Sequence, residues 1–92
     1  MSDLETYTGI PEIPLGVYRH YKRGLYHVHA VGRTHDTLEP VVIYESLEDT
    51  EDYPKGTYFT RPFLEFTSSV CLESGEEVER FKYESDYDHW VL

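Results

Sequence analysis

Apolar and polar residues alternate along this chain in short runs that glycine, proline or clustered charges soon interrupt. From Val17 to Tyr21 the chain reads VYRHY, Lys22, Arg23 and Gly24 follow, and LYHVHAV begins at Leu25. Two alternating runs around a glycine-containing turn predict a β-hairpin. In its second strand Tyr26, Val28 and Ala30 share one face, expected to be the core side, and Leu25, His27, His29 and Val31 share the other. Gly32 to Asp36 is a polar connection, and LEPVVIYES then places Val41, Val42, Ile43 and Tyr44 in a third strand, too short and too β-branched for a helix. SLEDTEDYPKG, rich in carboxylates and closed by Pro54 and Gly56, reads as an acidic loop with nothing to bury. Thr57 to Thr60 (TYFT) form a fourth strand, and Pro62 opens FLEF as a single helical turn. SSVCL and EVERFKYE flank a turn at Gly75 and predict two closing strands. In the last of them Val78, Arg80 and Lys82 alternate with Glu79, Phe81 and Tyr83.

Five to six short strands and one short helical turn define an all-β domain. A small barrel is the expected form, because closing the sheet removes its exposed edges, and an open sheet that dimerises through an edge is the alternative. Residues 1–15, with Pro11 and Pro14, read as an extended lead-in, 16–84 as the folded domain and 85–92 as a C-terminal tail.

Size narrows the picture. A chain of 92 residues holds one core and, at this length, buries only about 60% of its unfolded surface, so a binding site is expected to be a shallow surface pocket. Aromatic residues make up 15% of the chain, nine of them Tyr, a residue that joins a large apolar ring to a hydroxyl that can stay wet. The single cysteine, Cys71, lies between Val70 and Leu72 and reads as a structural thiol. The first residues show no basic patch followed by an apolar run, and no stretch nears the roughly 18–20 apolar residues of a membrane span, so a cytoplasmic location is expected.

The net charge of −10 is uneven: up to His35 four basic residues meet three acidic ones, whereas from Asp36 onward fifteen acidic residues meet four basic. Such acidity reads as a solubilising surface and opposes non-specific binding to phosphate backbones.

The run GVYRHYKRGLYHV carries a resemblance. With Gly16, Tyr18, His20, Tyr21, Lys22, Gly24, Tyr26 and Val28 go Thr37 and Glu39, then Val41, Val42 and Tyr44, then Arg61 and Pro62, then Phe66, and finally Arg80 and Phe81. In this order they resemble the small bacterial family known as domain of unknown function 1653, over about Gly16 to Tyr83. Arg23 departs from the family pattern before Gly24, Phe59 stands where a Trp is usual, and a histidine of the pattern falls at Thr34, with His35 one place later. The resemblance implies an SH3-like small β-barrel and implies no reaction.

Tyr18, His20, Tyr21, Tyr26 and Tyr44 belong to three strands expected to be neighbours, and Arg61 follows the fourth. Together they define a candidate groove in which rings take apolar or planar groups and a guanidinium holds a carboxylate or phosphate. The competing reading makes the tyrosines a core rim and pairs Arg61 with Glu39 or another carboxylate to lock a turn. Thr37 and Glu39 are further candidates, Glu39 as a general base and Thr37 as a turn residue. His27 and His29, at i and i+2 on a strand, have a spacing used by zinc sites, but two ligands do not make a site and the sequence does not single out a third from His20, His35, a carboxylate or Cys71; no metal and no cofactor is assigned. No common catalytic or nucleotide-binding motif occurs.

The leading reading is a non-catalytic module whose Tyr/His/Arg-lined groove takes a small ligand or short peptide. The alternatives are a small enzyme with His20 and Glu39 as acid and base, and a single-stranded nucleic-acid binder tracking phosphates with Arg19, Lys22, Arg23 and Arg33. Monomer and edge-paired homodimer fit the residues equally.

Overall fold

The structure, a computed structural model, describes residues 11–91. Its order is β1 (Gly16–His20), β2 (Leu25–Arg33), β3 (Pro40–Ser46), β4 (Tyr58–Pro62), α1 (Phe63–Phe66), β5 (Ser69–Cys71), β6 (Glu77–Glu79), β7 (Phe81–Ser85) and α2 (Tyr87–Val91). The mainly β architecture expected from the sequence is present, with seven strands and two short helices among the described residues in place of five to six strands and one turn. The main sheet is antiparallel in the order β4-β3-β2-β1-β7, and β5 and β6 form a separate ribbon.

The extra strand comes from a break inside EVERFKYE. Glu77–Glu79 pairs with β5, while Phe81–Ser85 pairs with β1. Arg80 is the crossover residue: its N–H donates to the Ser68 carbonyl (2.9 Å) and its own carbonyl accepts from the Tyr21 N–H (2.9 Å). One run of sequence therefore serves two sheets, and its apolar alternation changes phase at the crossover, from Val78 to Phe81 and Tyr83.

Among the described residues no pairing closes the main sheet, so the barrel expected from the sequence is an open one, with β4 and β7 as edges. In a flat sheet these edges would stand roughly 19 Å apart, four strand spacings. Here the Arg61 guanidinium of β4 lies 5.3 Å from the centre of the Phe81 ring of β7. Strong curvature brings the edges face to face across packed side chains, and the rings supply the closure that hydrogen bonds do not.

That concave face is the core. Tyr18, Tyr26, Val28, Val42, Tyr44 and Phe81 project into it, and Phe66 from α1 seals it, with Ile13, Phe59 and Phe63 packed against the cluster. Phe66 stacks on Phe81 (centroids 4.0 Å apart, planes at 7°) and meets Tyr18 and Tyr44 edge-on at 5.4 Å.

The alternation expected in β2 holds through Val28 and then fails. Val28 pairs with Tyr44 but Ala30 pairs with Ile43, which leaves His29 as an inserted residue. This bulge shifts the alternation by one: Val31, not Ala30, is paired with the fully buried Val42, because one extra residue exchanges the faces of everything beyond it.

Residues 1–10 of the expected lead-in lie outside the described residues, and 11–15 have no regular secondary structure. Within the stretch expected as a tail, Tyr87–Val91 is helical. Asp86 caps that helix, its Oδ1 accepting the His89 N–H at 2.6 Å, and Tyr87 lies flat against His27 (4.0 Å, 4°) on the convex side of the sheet. Among the described residues no helix is long and apolar enough to cross a membrane.

Candidate functional site

Residues paired across an antiparallel sheet share a face, and the register puts Tyr18 and His20 of β1, Tyr26 of β2, Tyr44 of β3 and Arg61 of β4 all on the concave one. Towards the β1–β2 turn this face opens into a groove of about 340 Å³. His20, Tyr26, Tyr44 and Arg61 line it, joined by Lys22 and Arg23 from the turn, Tyr53 from the acidic loop, and Phe59 and Phe81 from the two edge strands. The volume lies at the small end of ligand pockets.

Arg61 is held from two sides. Its Nε donates to the Tyr44 hydroxyl (3.1 Å) and its Nη1 to Glu65 Oε2 (2.6 Å). Burial opposes its charge, but the bonds to Tyr44 and Glu65 outweigh burial and raise its pKa above the ordinary arginine value. Of the carboxylates left open by the sequence, Glu65, four residues on in α1, is the partner, while Glu39 bonds within the β2–β3 turn.

Tyr53 is the member that the sequence concealed. The acidic loop folds on itself, Asp49 Oδ1 accepting the Lys55 N–H (2.8 Å) and Thr50 Oγ1 the Tyr53 N–H (3.0 Å). This presents the Tyr53 ring to Phe59 (4.9 Å) and its hydroxyl to that of Tyr26 (2.6 Å). Burial, and then that bond, push the Tyr26 hydroxyl well above the ordinary tyrosine pKa, so it stays a neutral donor and acceptor. The expectation that this loop buries nothing is corrected: Ser46 at its start is buried and Tyr53 among the carboxylates is half-buried.

A larger, more polar hollow of about 1090 Å³ adjoins the groove between the basic turn and the acidic loop, sharing Lys22, Arg23, Tyr26 and Tyr53 with it. Its walls carry opposite charges, so it lacks the single-sign field that would select a charged ligand. The smaller ring-lined groove is the better candidate.

The other expected site residues fall outside the groove. Tyr18 is buried beneath it; its hydroxyl donates to the Pro14 carbonyl (2.6 Å), and burial, followed by Tyr83 and Glu79, pushes its pKa up to about 12. Tyr21 packs on His20 at 4.8 Å and anchors to Arg80 through its backbone. Thr37 and Glu39 belong to the β2–β3 turn, where Thr37 Oγ1 donates to Glu39 Oε1 (3.2 Å) and the Glu39 N–H to Thr34 Oγ1 (3.3 Å). His20 and Glu39 stand at opposite ends of β2, whose nine residues span on the order of 25 Å, so they do not form an acid–base pair. Of the four cations of the proposed phosphate track, Arg19, Lys22 and Arg23 line the larger hollow together, Arg19 bonding to Glu84 (3.3 Å), whereas Arg33 ends β2 away from them and donates to the Leu38 carbonyl (3.0 Å).

His20 is the imidazole at the groove. Its Nδ1 accepts the Lys22 N–H (3.2 Å), which places the neutral ring's proton on Nε2. Burial, then Arg61 of β4, Arg80 before β7 and Lys22 of the turn, lower its pKa below 6.5, while Phe81 covers one edge of the ring. A folded-state pKa below the unfolded one means that the unfolded chain binds more protons between the two values, so stability rises with pH there. His20 should contribute its full stabilisation above pH 6.5 and lose it as pH falls towards the depressed folded value. Urea denaturation across this range should show the slope, and His20→Asn should flatten it; an unchanged slope in the variant would place the proton uptake elsewhere.

On the convex face β2 and β3 assemble a second cluster. His27 is paired directly with Glu45, His29 Nε2 lies 2.7 Å from Glu45 Oε1, and the two imidazoles are 4.0 Å apart. Burial, then the neighbouring His29, lower the pKa of His27, and Glu45 opposes them.

The fold and groove define a small antiparallel β domain with an aromatic pocket and a fixed guanidinium, a class known by its architecture and not by a reaction. The chain belongs to the family described as protein of unknown function (DUF1653), whose model matches residues 16–83. A crystal structure of a DUF1653 protein from Bordetella bronchiseptica superposes with a TM-score of 0.71 at 29% identity, covering 85% of this chain and 95% of that one. No curated protein matches the chain.

Proposed function

We propose that this domain is a non-catalytic binding module whose groove takes the planar or apolar part of a small ligand or short peptide and holds a carboxylate or phosphate at Arg61. One observation carries the reading: a guanidinium immobilised by Tyr44 and Glu65 forms the wall of a ring-lined groove, with Lys22 and Arg23 at its mouth. An arginine already fixed loses little side-chain freedom when it binds an anion, and its charge-assisted bonds are the strong kind. The rings offer stacking surface, and the neighbouring cations exceed in number the single carboxylate, Glu65, that bonds Arg61.

Thermal-shift measurements with benzoate, phenyl phosphate, their uncharged amide and alcohol counterparts, and short peptides ending in an aromatic residue test this reading. The anionic aromatic probes should raise the wild-type melting temperature more than the uncharged ones. Arg61→Ala should weaken that binding by about 10- to 100-fold, as expected when a charged hydrogen-bond partner is lost. Its own melting temperature should also fall, since the hydroxyl of buried Tyr44 loses its partner at a cost of about 1–3 kcal/mol, so binding is compared at a temperature where the variant is folded. Equal responses to charged and uncharged probes, or binding unaffected by Arg61→Ala, would remove the basis for the proposal.

A further inference from the structure

We infer that His27, His29 and Glu45 form a binding site for a divalent transition-metal ion of the zinc class, on the opposite face of the sheet from the groove and independent of it. Each residue offers one ligand atom, and the three atoms lie within 4.8 Å of one another. Ligand atoms around a tetrahedral zinc ion at about 2.0–2.1 Å stand roughly 3.3–3.4 Å apart, so small side-chain rotations convert the cluster into a coordination sphere.

The backbone itself assembles the three. His27 and Glu45 are directly paired between β2 and β3, a relation that sets Cβ atoms about 4.5–5.5 Å apart. His29 is the inserted residue of the bulge, and bulges re-aim a side chain relative to the regular ladder. Its ring turns onto Glu45, at 2.7 Å, and an ion would take the place of the hydrogen now shared between them.

Both rings are also backed. Tyr87 of α2 stacks on His27 at 4.0 Å, and Tyr58 of β4 stacks on His29 at 5.2 Å. Ligands held in position by neighbours bind metal more tightly than free ones, because less ordering remains to be done. All three residues are half-buried, so an ion can reach them from solvent. Two imidazoles and one carboxylate suit zinc, copper or nickel, whereas magnesium and calcium favour all-oxygen sites. Three protein ligands leave a fourth position for water or for a donor from another molecule.

The test uses the full chain, treated with a chelator and dialysed. Calorimetric titration with zinc chloride, with magnesium chloride in excess to occupy the acidic surface, should give one equivalent bound to the wild type. His29→Gln and Glu45→Gln should each weaken binding by at least about 100-fold, the upper end of the effect of losing a residue that merely supports a ligand; Cys71→Ser and His35→Ala should leave it unchanged. Cobalt should shift or broaden the ring proton resonances of His27 and His29 and spare those of His35. Circular dichroism melts establish that the variants are folded. If the His29–Glu45 bond serves stability alone, Glu45→Gln will lower the melting temperature while zinc leaves the wild type unaltered. That outcome, or zinc uptake indifferent to both ligand variants, overturns the assignment.

Discussion

Phe66→Ala is expected to destabilise the domain by about 3–5 kcal/mol, the range for deleting a buried phenylalanine. Phe66 is 1% exposed, stacks on Phe81 of one edge strand and meets Tyr18 and Tyr44 from the middle of the sheet. A 92-residue chain has roughly 5–14 kcal/mol of total stability, so this change removes a large share of it. The effect should exceed the lost transfer energy alone, because no closing row of hydrogen bonds draws the edges together once the ring is gone and the cavity has little means of collapsing. Urea denaturation measures it directly, with the midpoint moving and the slope preserved. A loss under about 1 kcal/mol would mean that the concave face is not a packed core. Leu64, two residues earlier and 82% exposed, is the control on the same helical turn; Leu64→Ala should stay within about 0.5 kcal/mol.

Gly16→Ala should cost about 2–3 kcal/mol or more, from two sources. Gly16 has φ +145°, a conformation that an L side chain rarely adopts, and a Cβ there would overlap the Ser85 carbonyl oxygen and approach Asp86 Cα at 2.9 Å. Backbone strain of this kind costs on the order of 1–3 kcal/mol, and the overlap adds to it because backbone cannot rotate away. Gly75 separates the two contributions. It has φ +93° with nothing within 4 Å of the added carbon, so Gly75→Ala should show the strain alone, about 1–2 kcal/mol. Comparable losses at the two positions would show that the β1–β7 junction yields. If Gly16→Ala instead displaces the start of α2, the stacking of Tyr87 on His27 should be disturbed as well, visible as a shift of the His27 ring resonances.

How far the sequence could be read depended on whether the information was local. The hairpin around Lys22, Arg23 and Gly24 was legible because a turn and its flanking alternation lie within fifteen residues. Tyr26 and Val28 were placed inward for the same reason. Ala30 was placed wrongly: nothing in HVHAV marks His29 as inserted, since a bulge is defined by the partner strand and not by the strand that carries it. The break at Arg80 left a trace, since the apolar alternation of EVERFKYE changes phase between Val78 and Phe81, but the sheet that each half joins is set by its partner strand.

In the groove, His20, Tyr26, Tyr44 and Arg61 were found because sequence neighbours became sheet neighbours. Tyr53 escaped because its loop is dominated by carboxylates; an isolated aromatic between Asp52 and Pro54 was the available signal. Thr37 and Glu39 matched the family pattern, yet they stabilise a turn and do not reach the groove. Glu45 could not be chosen from sequence as the companion of His27 and His29, because several carboxylates were equally eligible until the pairing of β2 with β3 was known.

The inserted His29 separates two properties of the strand. Deleting that one residue would leave Val28, Ala30 and Val31 in unbroken alternation opposite Tyr44, Ile43 and Val42, each on the face it already occupies, while the convex cluster would shrink to a single imidazole facing Glu45. The interior does not need the extra residue and the cluster does, so the cost of its removal should fall on ion binding and not on packing.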